Sequence, residues 1–173
     1  MELKEDGKER KLWLPRGIVI PSRLQDHVVK LKIRRSDWFE GEELPKYAEV
    51  SGSMKCPAIY GNINTRIAVV VEAELDAMLI QQCAADLCCC IAIGGAGKKP
   101  DVNVDCLLRN MSSILFALDF DEAGRKAFQF WKTTYPALRP WPTPSGKSPG
   151  DALTSGVDLR KWISIGLQRS KLL

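Results

Sequence analysis

ILFALDFDEAGRKA, residues 114–127, decides how the rest of the chain is read. Five apolar residues, 114–118, run directly into Asp119 and Asp121, and a helical pattern opens at Glu122, Ala123 and Gly124. A short apolar run bounded by polar residues and followed by a helix reads as a strand buried on both faces. If the two aspartates keep the strand's period of two, both carboxylates point to the same side. Side by side they repel each other unless a cation sits between them, so the pair reads as chemistry rather than packing.

Upstream, RIAVVVEA from Arg66 is another apolar strand run. AELDAMLIQQCAA predicts an amphipathic helix over 73–85, with Leu75, Met78, Leu79 and Cys83 on one face. LCCCIAIGGAG, 87–97, is a further buried strand ending in a glycine turn, and DVNVDCLLRN is a short helix. Downstream, EAGRKAFQFWKTTYP is a helix ended by Pro136. ALRPWP reads as one more strand at an edge, where proline is tolerated. Strands alternating with helices at this spacing mean βαβ units and a parallel sheet. The tail holds a Pro/Gly/Ser loop at 142–150, a short helical turn from Asp151, and a last helix over 158–168 with Asp158 as its N-cap.

The front of the chain has a different pattern. GIVIP (17–21) and HVVKLKIRR (27–35) predict a hairpin across a loop at 22–26. In the second strand Val29, Leu31 and Ile33 share one face, and Lys30, Lys32 and Arg34 share the other. That face is either a solvated outer surface or a basic stripe placed to meet phosphates. An acidic loop follows at 36–46, and YAEVSGS and CPAIYG look like two more short strands. The expected division is a polar segment over 1–12, a small mainly β lobe over 13–61, an α/β domain over 62–141, and a basic loop and helix over 142–173 packing on that domain.

A length of 173 residues suffices for one well-buried domain with a small appended lobe. The composition, 45% hydrophobic and 27% charged, argues against disorder. No apolar run approaches the roughly 20 residues of a membrane helix. The opening MELKEDGKERK lacks the apolar core of a signal peptide, so a cytoplasmic location is expected. The net charge of +4 is unevenly spread: residues 1–60 carry 12 basic and 10 acidic side chains, 61–121 carry 4 and 8, and 122–173 carry 9 and 3. An acidic centre with a basic tail is either an unevenly charged solvated surface or a metal site with a polyanion alongside. The six cysteines, Cys56, Cys83, Cys88, Cys89, Cys90 and Cys106, include no C-x-x-C pair, and the single histidine is His27. No zinc site is expected in this chain. Cys88, Cys89 and Cys90 read as small apolar fillers of a buried strand, with reduced thiols.

Open parallel sheets bind ligands beyond the carboxyl ends of their strands. Glu72 closes one buried strand, Gly94 and Gly95 close the next, and Asp119 and Asp121 close another. A carboxylate trio without histidine or thiol suits Mg²⁺ or Mn²⁺, ions that serve phosphate chemistry. Each acid also has a plainer reading. Glu72 could be a helix N-terminal acid favoured by the macrodipole. Asp76, four residues on, shares a helix face with Glu72 if the helix starts early, and is a ligand, a support for one, or polar surface. One of the two aspartates could cap the following helix.

VVVEAELDAML and ALDFDEAGRKA resemble the two signature segments of the Toprim domain, a glutamate after one strand and Asp-x-Asp after another. The form is similar to that of bacterial-type DNA primases, phage-type primase-helicases included. The step from Glu72 to Asp76 fits, as does the run Asp121-Glu122-Ala123-Gly124-Arg125-Lys126-Ala127. So do Arg16-Gly17-Ile18-Val19-Ile20-Pro21 ahead of the basic strand, and the late loop Pro144-Ser145-Gly146-Lys147-Ser148-Pro149-Gly150-Asp151, similar to a Pro-x-Gly-Lys-Asp-Pro loop. The resemblance covers most of residues 13–167. It departs at Ala73, where glycine is common, and at Ser148, where aspartate is common; Asp151 is the candidate to supply the missing charge.

The resemblance implies a Toprim-like Rossmannoid parallel sheet flanked by helices, and an enzyme that makes short RNA primers on single-stranded DNA by nucleotidyl transfer from nucleoside triphosphates. Glu72, Asp119 and Asp121 would be catalytic, with Glu72 a metal ligand or the general acid/base for the 3′-hydroxyl. Together with Asp76 and Asp151 they would hold Mg²⁺ or Mn²⁺. Lys30, Lys32 and Arg34 would track the template, while Gly94, Gly95, Arg125, Lys126 and Lys147 would meet nucleotide phosphates. A zinc-binding module and a replicative helicase are implied partners, in trans or on a longer chain. The chain reads either as a catalytic-core fragment or as a small stand-alone protein. Two other readings use the same residues: a metal-dependent nuclease with water as attacker, and a nucleic-acid-binding module whose catalysis has lapsed.

Overall fold

Two compact units divide the chain, one ending at Lys55 and the other beginning at Cys56. The computed structural model describes residues 12–24, 27–95, 97–118 and 122–168, with 122–127 described by backbone alone.

In the first unit β1 (Gly17–Leu24), β2 (His27–Arg35) and β3 (Tyr47–Glu49) form an antiparallel sheet in that order. The first strand runs past Pro21 to Leu24 because β1 lies at the sheet edge, where a residue without an N–H breaks no ladder. Ile33, Ala48 and Val50, with Leu31 against them, make a small core. Arg35 is buried and paired with Asp37 at 3.0 Å and Glu42 at 2.7 Å, so the acidic loop closes over a guanidinium that burial would otherwise penalise. The expected basic face is not open: Lys30 is 3% exposed, and Lys32 and Arg34 are half-buried. Their cross-strand neighbours explain this, since Ser22 opposite Lys30 and Ile20 opposite Lys32 are buried too. Both faces of this hairpin carry covered residues.

The second unit is built on a five-stranded sheet. β4 (Ala58–Tyr60), β5 (Ile67–Val71), β6 (Cys89–Ala92), β7 (Ser113–Phe116) and β8 (Leu138–Pro140) lie in the order β4-β6-β5-β7-β8. β5 through β8 are parallel, and β4 runs antiparallel to β6. The CPAIYG strand, expected in the lobe over 13–61, therefore belongs to this sheet, with Ile59 opposite Ile91. A three-residue apolar strand carries no sign of its partner, and pairing decides. β8 takes the edge position expected for it.

Among the described residues five helices cover the sheet: α1 (Glu74–Ala84), α2 (Val102–Arg109), α3 (Glu122–Thr134), α4 (Pro149–Thr154) and α5 (Leu159–Gln168). Alternate strand residues sort them into layers. Val69, Cys90 and Leu115 share a buried cluster with Ile80 of α1, Ala152 of α4 and Ile163 of α5. Val70, Ile91 and Phe116 share another with Leu108 of α2 and Trp131 of α3. The sheet is thus covered on both sides, as continuous apolar strands require. Among the described residues no helix is long and apolar enough to cross a membrane.

α1 is rotated from its expected setting. Its buried residues are Glu74, Ala77, Ile80 and Ala84, whereas Leu75, Met78, Leu79 and Cys83 are half-buried. The helix lies between the sheet and the α4–α5 pair, so it has two apolar sides. Alanines face the sheet and permit close approach, and Leu79 and Cys83 pack at the margin of the same cluster. Cys88, Cys89 and Cys90 are buried, and burial pushes the Cys89 thiol up to about 12. Contact with the Cys88 sulfhydryl, together with burial, raises Cys90 as well. These are fillers, and all six cysteines are free thiols.

Candidate functional site

Strand order locates the site. β5 and β7 are neighbours, yet β5 leads into α1 on one face and β7 into α3 on the other. Where adjacent parallel strands send their connections to opposite faces, a crevice opens beyond their carboxyl ends. Glu72 is the first residue after β5, and the described part of the β7 exit ends at Leu118. Hydrogen bonding continues past the strands: the Ala117 N–H donates to the Val70 carbonyl at 2.8 Å, and the Gly94 N–H to the Glu72 carbonyl at 2.8 Å. Gly94 and Gly95 therefore lie beside Glu72, with φ of 76° and 150°, a region that favours glycine.

Glu72 is half-buried. Ala73 is extended, at φ −104° and ψ 148°, and α1 begins only at Glu74. Glu72 thus precedes the helix, and the one-turn helical relation to Asp76 considered from the sequence does not arise. Glu74 and Asp76 occupy the first turn, where unpaired amides favour negative charge. Glu74 is 1% exposed, a buried acid to which the sequence reading assigned no role. Its one visible signal was its place among three acids at alternating positions.

Asp76 is half-buried, and its Oδ1 accepts a hydrogen bond from the Gly150 N–H at 3.0 Å. This bond brings the late loop to the start of α1. Within that loop Ser148 is the N-cap of α4. Its Oγ accepts from the Asp151 N–H at 3.3 Å, while Asp151 Oδ2 accepts from the N–H groups of Ser148 at 3.2 Å and Lys147 at 3.1 Å. The reciprocal pair is a capping box. Asp151, the candidate for the charge missing at Ser148, commits Oδ2 to two backbone amides and serves the loop. Lys147 is exposed. At the other end of α1, the Arg160 guanidinium grips Asp86 at 2.6 and 2.8 Å and holds its carboxyl down at about 2.

Asp119 and Asp121 lie outside the described residues, as do the side chains of Arg125 and Lys126 in α3. Among the described residues no group of three His, Cys, Asp or Glu side chains could hold a metal. Lys30, Lys32 and Arg34 belong to the first unit. Two lysines escaped the sequence reading. Lys98 and Lys99 follow the glycine turn at the same end of the sheet as Glu72; the Lys98 N–H donates to the Gly95 carbonyl at 3.0 Å, and the Lys99 ammonium sits 4.5 Å from the Phe130 ring centroid. Their signal was charge, since residues 61–121 carry only 4 basic side chains.

The RNA polymerase domain of Mycobacterium tuberculosis primase DnaG matches 96% of this chain with a TM-score of 0.67 and 20% identity. The fold is that of a primase catalytic domain. The Aquifex aeolicus primase structure, comprising zinc-binding and RNA polymerase domains, matches 90% of the chain with a TM-score of 0.61 and 20% identity. The primase fragment of the bacteriophage T7 primase-helicase protein matches 86% with a TM-score of 0.59 and 22% identity. The chain spans 59%, 39% and 60% of these three structures, in the order given. No family model and no curated protein matches the chain.

Proposed function

We propose that this chain is the catalytic core of a DNA primase, a Toprim domain that makes short RNA primers on single-stranded DNA by nucleotidyl transfer. The observation that carries the reading is Glu72 at the switch point of a sheet with the primase catalytic fold, with the late loop tied beside it through Asp76. A DnaG catalytic domain of similar fold is bound to single-stranded DNA, which supports that template class here.

In this reading a primer 3′-hydroxyl attacks the α-phosphate of an incoming nucleoside triphosphate in line, the α–β phosphoanhydride bond breaks and pyrophosphate leaves. Glu72 after β5, and Asp119 and Asp121 after β7 in the sequence, are all carboxylates, donors that suit a hard divalent ion. Glu72, Asp119 and Asp121 would hold Mg²⁺ or Mn²⁺, which when bound neutralises charge on phosphoryl oxygens. If Glu72 is not a ligand, its carboxylate is the group placed to take the hydroxyl proton. Lys147 and Lys98, both exposed, would meet the triphosphate as point charges, with Arg125 and Lys126 as further candidates. Gly94 and Gly95, lacking side chains, would let phosphate oxygens approach the backbone. Lys32 and Arg34, half-buried, would hold template phosphates with their outer atoms. A zinc-binding module and a helicase would be its partners, as the joined domains of the Aquifex primase and the T7 primase-helicase suggest, in the cytoplasm.

Incubation with single-stranded DNA, labelled nucleotides and Mg²⁺ or Mn²⁺, with a zinc-binding module added in trans, tests the proposal. Ladders of short RNA uphold it. Cleaved template would assign a nuclease instead, and retained DNA without product a lapsed binding module.

A further inference from the structure

We propose that Asp76 is a positioning residue that holds the 142–151 loop so that Lys147 meets the triphosphate of the incoming nucleotide. The inference rests on the nucleotidyl-transfer reading, and it assigns Asp76 to the loop rather than to the metal.

The loop is pinned at both ends. At its start Trp141 donates from its backbone N–H to the Phe116 carbonyl at 2.8 Å and stacks on Trp162, whose Nε1–H donates to the Pro142 carbonyl at 3.3 Å. At its end Pro149 and Ala152 are buried. Between them the chain turns on itself: Thr143 Oγ1 donates to the Gly146 carbonyl at 3.1 Å, and Asp151 gathers the amides of Lys147 and Ser148. Gly146 has φ 68°, and a Cβ there would collide with the Asp151 side chain. The bond from the Gly150 N–H to Asp76 joins this turn to the helix that starts two residues after Glu72. The approach is close, since a Cβ on Gly150 would sit 3.2 Å from Asp76 Oδ1. Lys147 projects from the pinned turn with its backbone N–H held and its side chain exposed. A lysine supplies a flexible point charge, so its reach to a phosphate depends on where its backbone is fixed.

Limited trypsin digestion tests the tie without any catalysis. Cleavage at the exposed Lys147–Ser148 bond follows local opening of the loop. In Asp76→Ala it should quicken about tenfold, the expected effect of losing a hydrogen bond to a charged acceptor. Asp76→Asn, which keeps an acceptor for Gly150, should stay close to wild type. In primer synthesis Asp76→Ala should raise the nucleotide KM about tenfold with kcat little changed, Lys147→Ala should do the same, and the double variant should be no worse than Lys147→Ala alone. An unchanged nicking rate in folded Asp76→Ala overturns the proposal. So does an Asp76→Asn variant that loses kcat together with its response to Mg²⁺, since a metal ligand would behave that way. If the wild type makes no primers, the functional reading fails while the nicking comparison still decides whether Asp76 holds the loop.

Discussion

The two faces of the five-stranded sheet are held by different means. On the α2–α3 face the packing is bulky: Phe116 lies 5.6 Å from Phe128 and 5.3 Å from Trp131, and Trp131 lies 5.5 Å from Tyr135, centroid to centroid. Its polar edge is one cluster, where the Tyr135 hydroxyl donates to Asp105 at 2.6 Å and Arg109 holds the other oxygen at 2.8 Å. Burial, with that bond to Asp105, raises the Tyr135 phenol. On the α1–α4–α5 face small residues, Ala77, Cys90, Ala92 and Ala152 among them, lie beside larger ones such as Leu159 and Trp162, and Gly166 brings α5 against Leu115 and Trp141. Polar ties at both ends of α1, Asp76 to Gly150 and Asp86 to Arg160, set how those elements lie. Large rings stabilise a layer by area and tolerate some displacement. Small residues and directed bonds place elements closely, and this face carries the late loop to the first turn of α1.

That contrast can be broken at each face. The largest loss of stability should come from Trp131→Ala, which empties a fully buried site and costs about 3–5 kcal/mol, read from urea denaturation. Glu72→Gln should leave the denaturation midpoint in place and lower primer synthesis at least a hundredfold, about 2.7 kcal/mol in the barrier; a small loss would remove Glu72 from the chemistry. Gly166→Ala sharpens the comparison, because alanine is the better helix former by about 1 kcal/mol. An added Cβ would nonetheless sit 2.8 Å from Leu115 Cδ1 and 2.9 Å from Trp141 Cε2, so a net destabilisation of about 1–2 kcal/mol is expected from overpacking. The smallest effect concerns the exposed Asp86–Arg160 pair. Its folded carboxyl titrates at about 2, below the unfolded value of about 3.9, so its contribution is present above about pH 4 and lost as pH falls toward 2. An Asp86→Asn variant should narrow its stability gap to wild type across that window, and a gap independent of pH would show that the pair does not act through charge.

The parallel sheet was legible because β5, β6 and β7 are short, wholly apolar runs separated by helices, a pattern that admits few topologies. The cap at Asp158 was legible because capping is local, its side chain bonding an amide three residues on ahead of an apolar period; Asp101 and Ser148, not expected as caps, do the same for α2 and α4. Glu72 was legible as a strand-end acid, and the structure puts it beside Gly94. Lys98 and Lys99 were not legible as site residues, because charge alone does not separate a phosphate contact from a solvated surface. The rotation of α1 was missed because Leu75, Met78 and Leu79 outweigh Ala77 in any pattern read by hydrophobicity. That measure ranks side chains by size, whereas a helix held between a sheet and two other helices turns its smallest residues toward the nearest neighbour.

By itself, the sequence determined most of the elements, their order and the strand end at which Glu72 falls, since these follow from periods of two and 3.6 and from residues close in the chain. Only the tertiary structure decided that Ala58–Tyr60 joins the large sheet, that Lys30 is buried, that Asp151 caps a loop, and that Asp76 meets Gly150. Those outcomes depend on partners distant in sequence, such as Asp76 and Gly150, 74 positions apart. A periodic pattern reports that a side chain is to be covered, and the packed fold alone supplies what covers it.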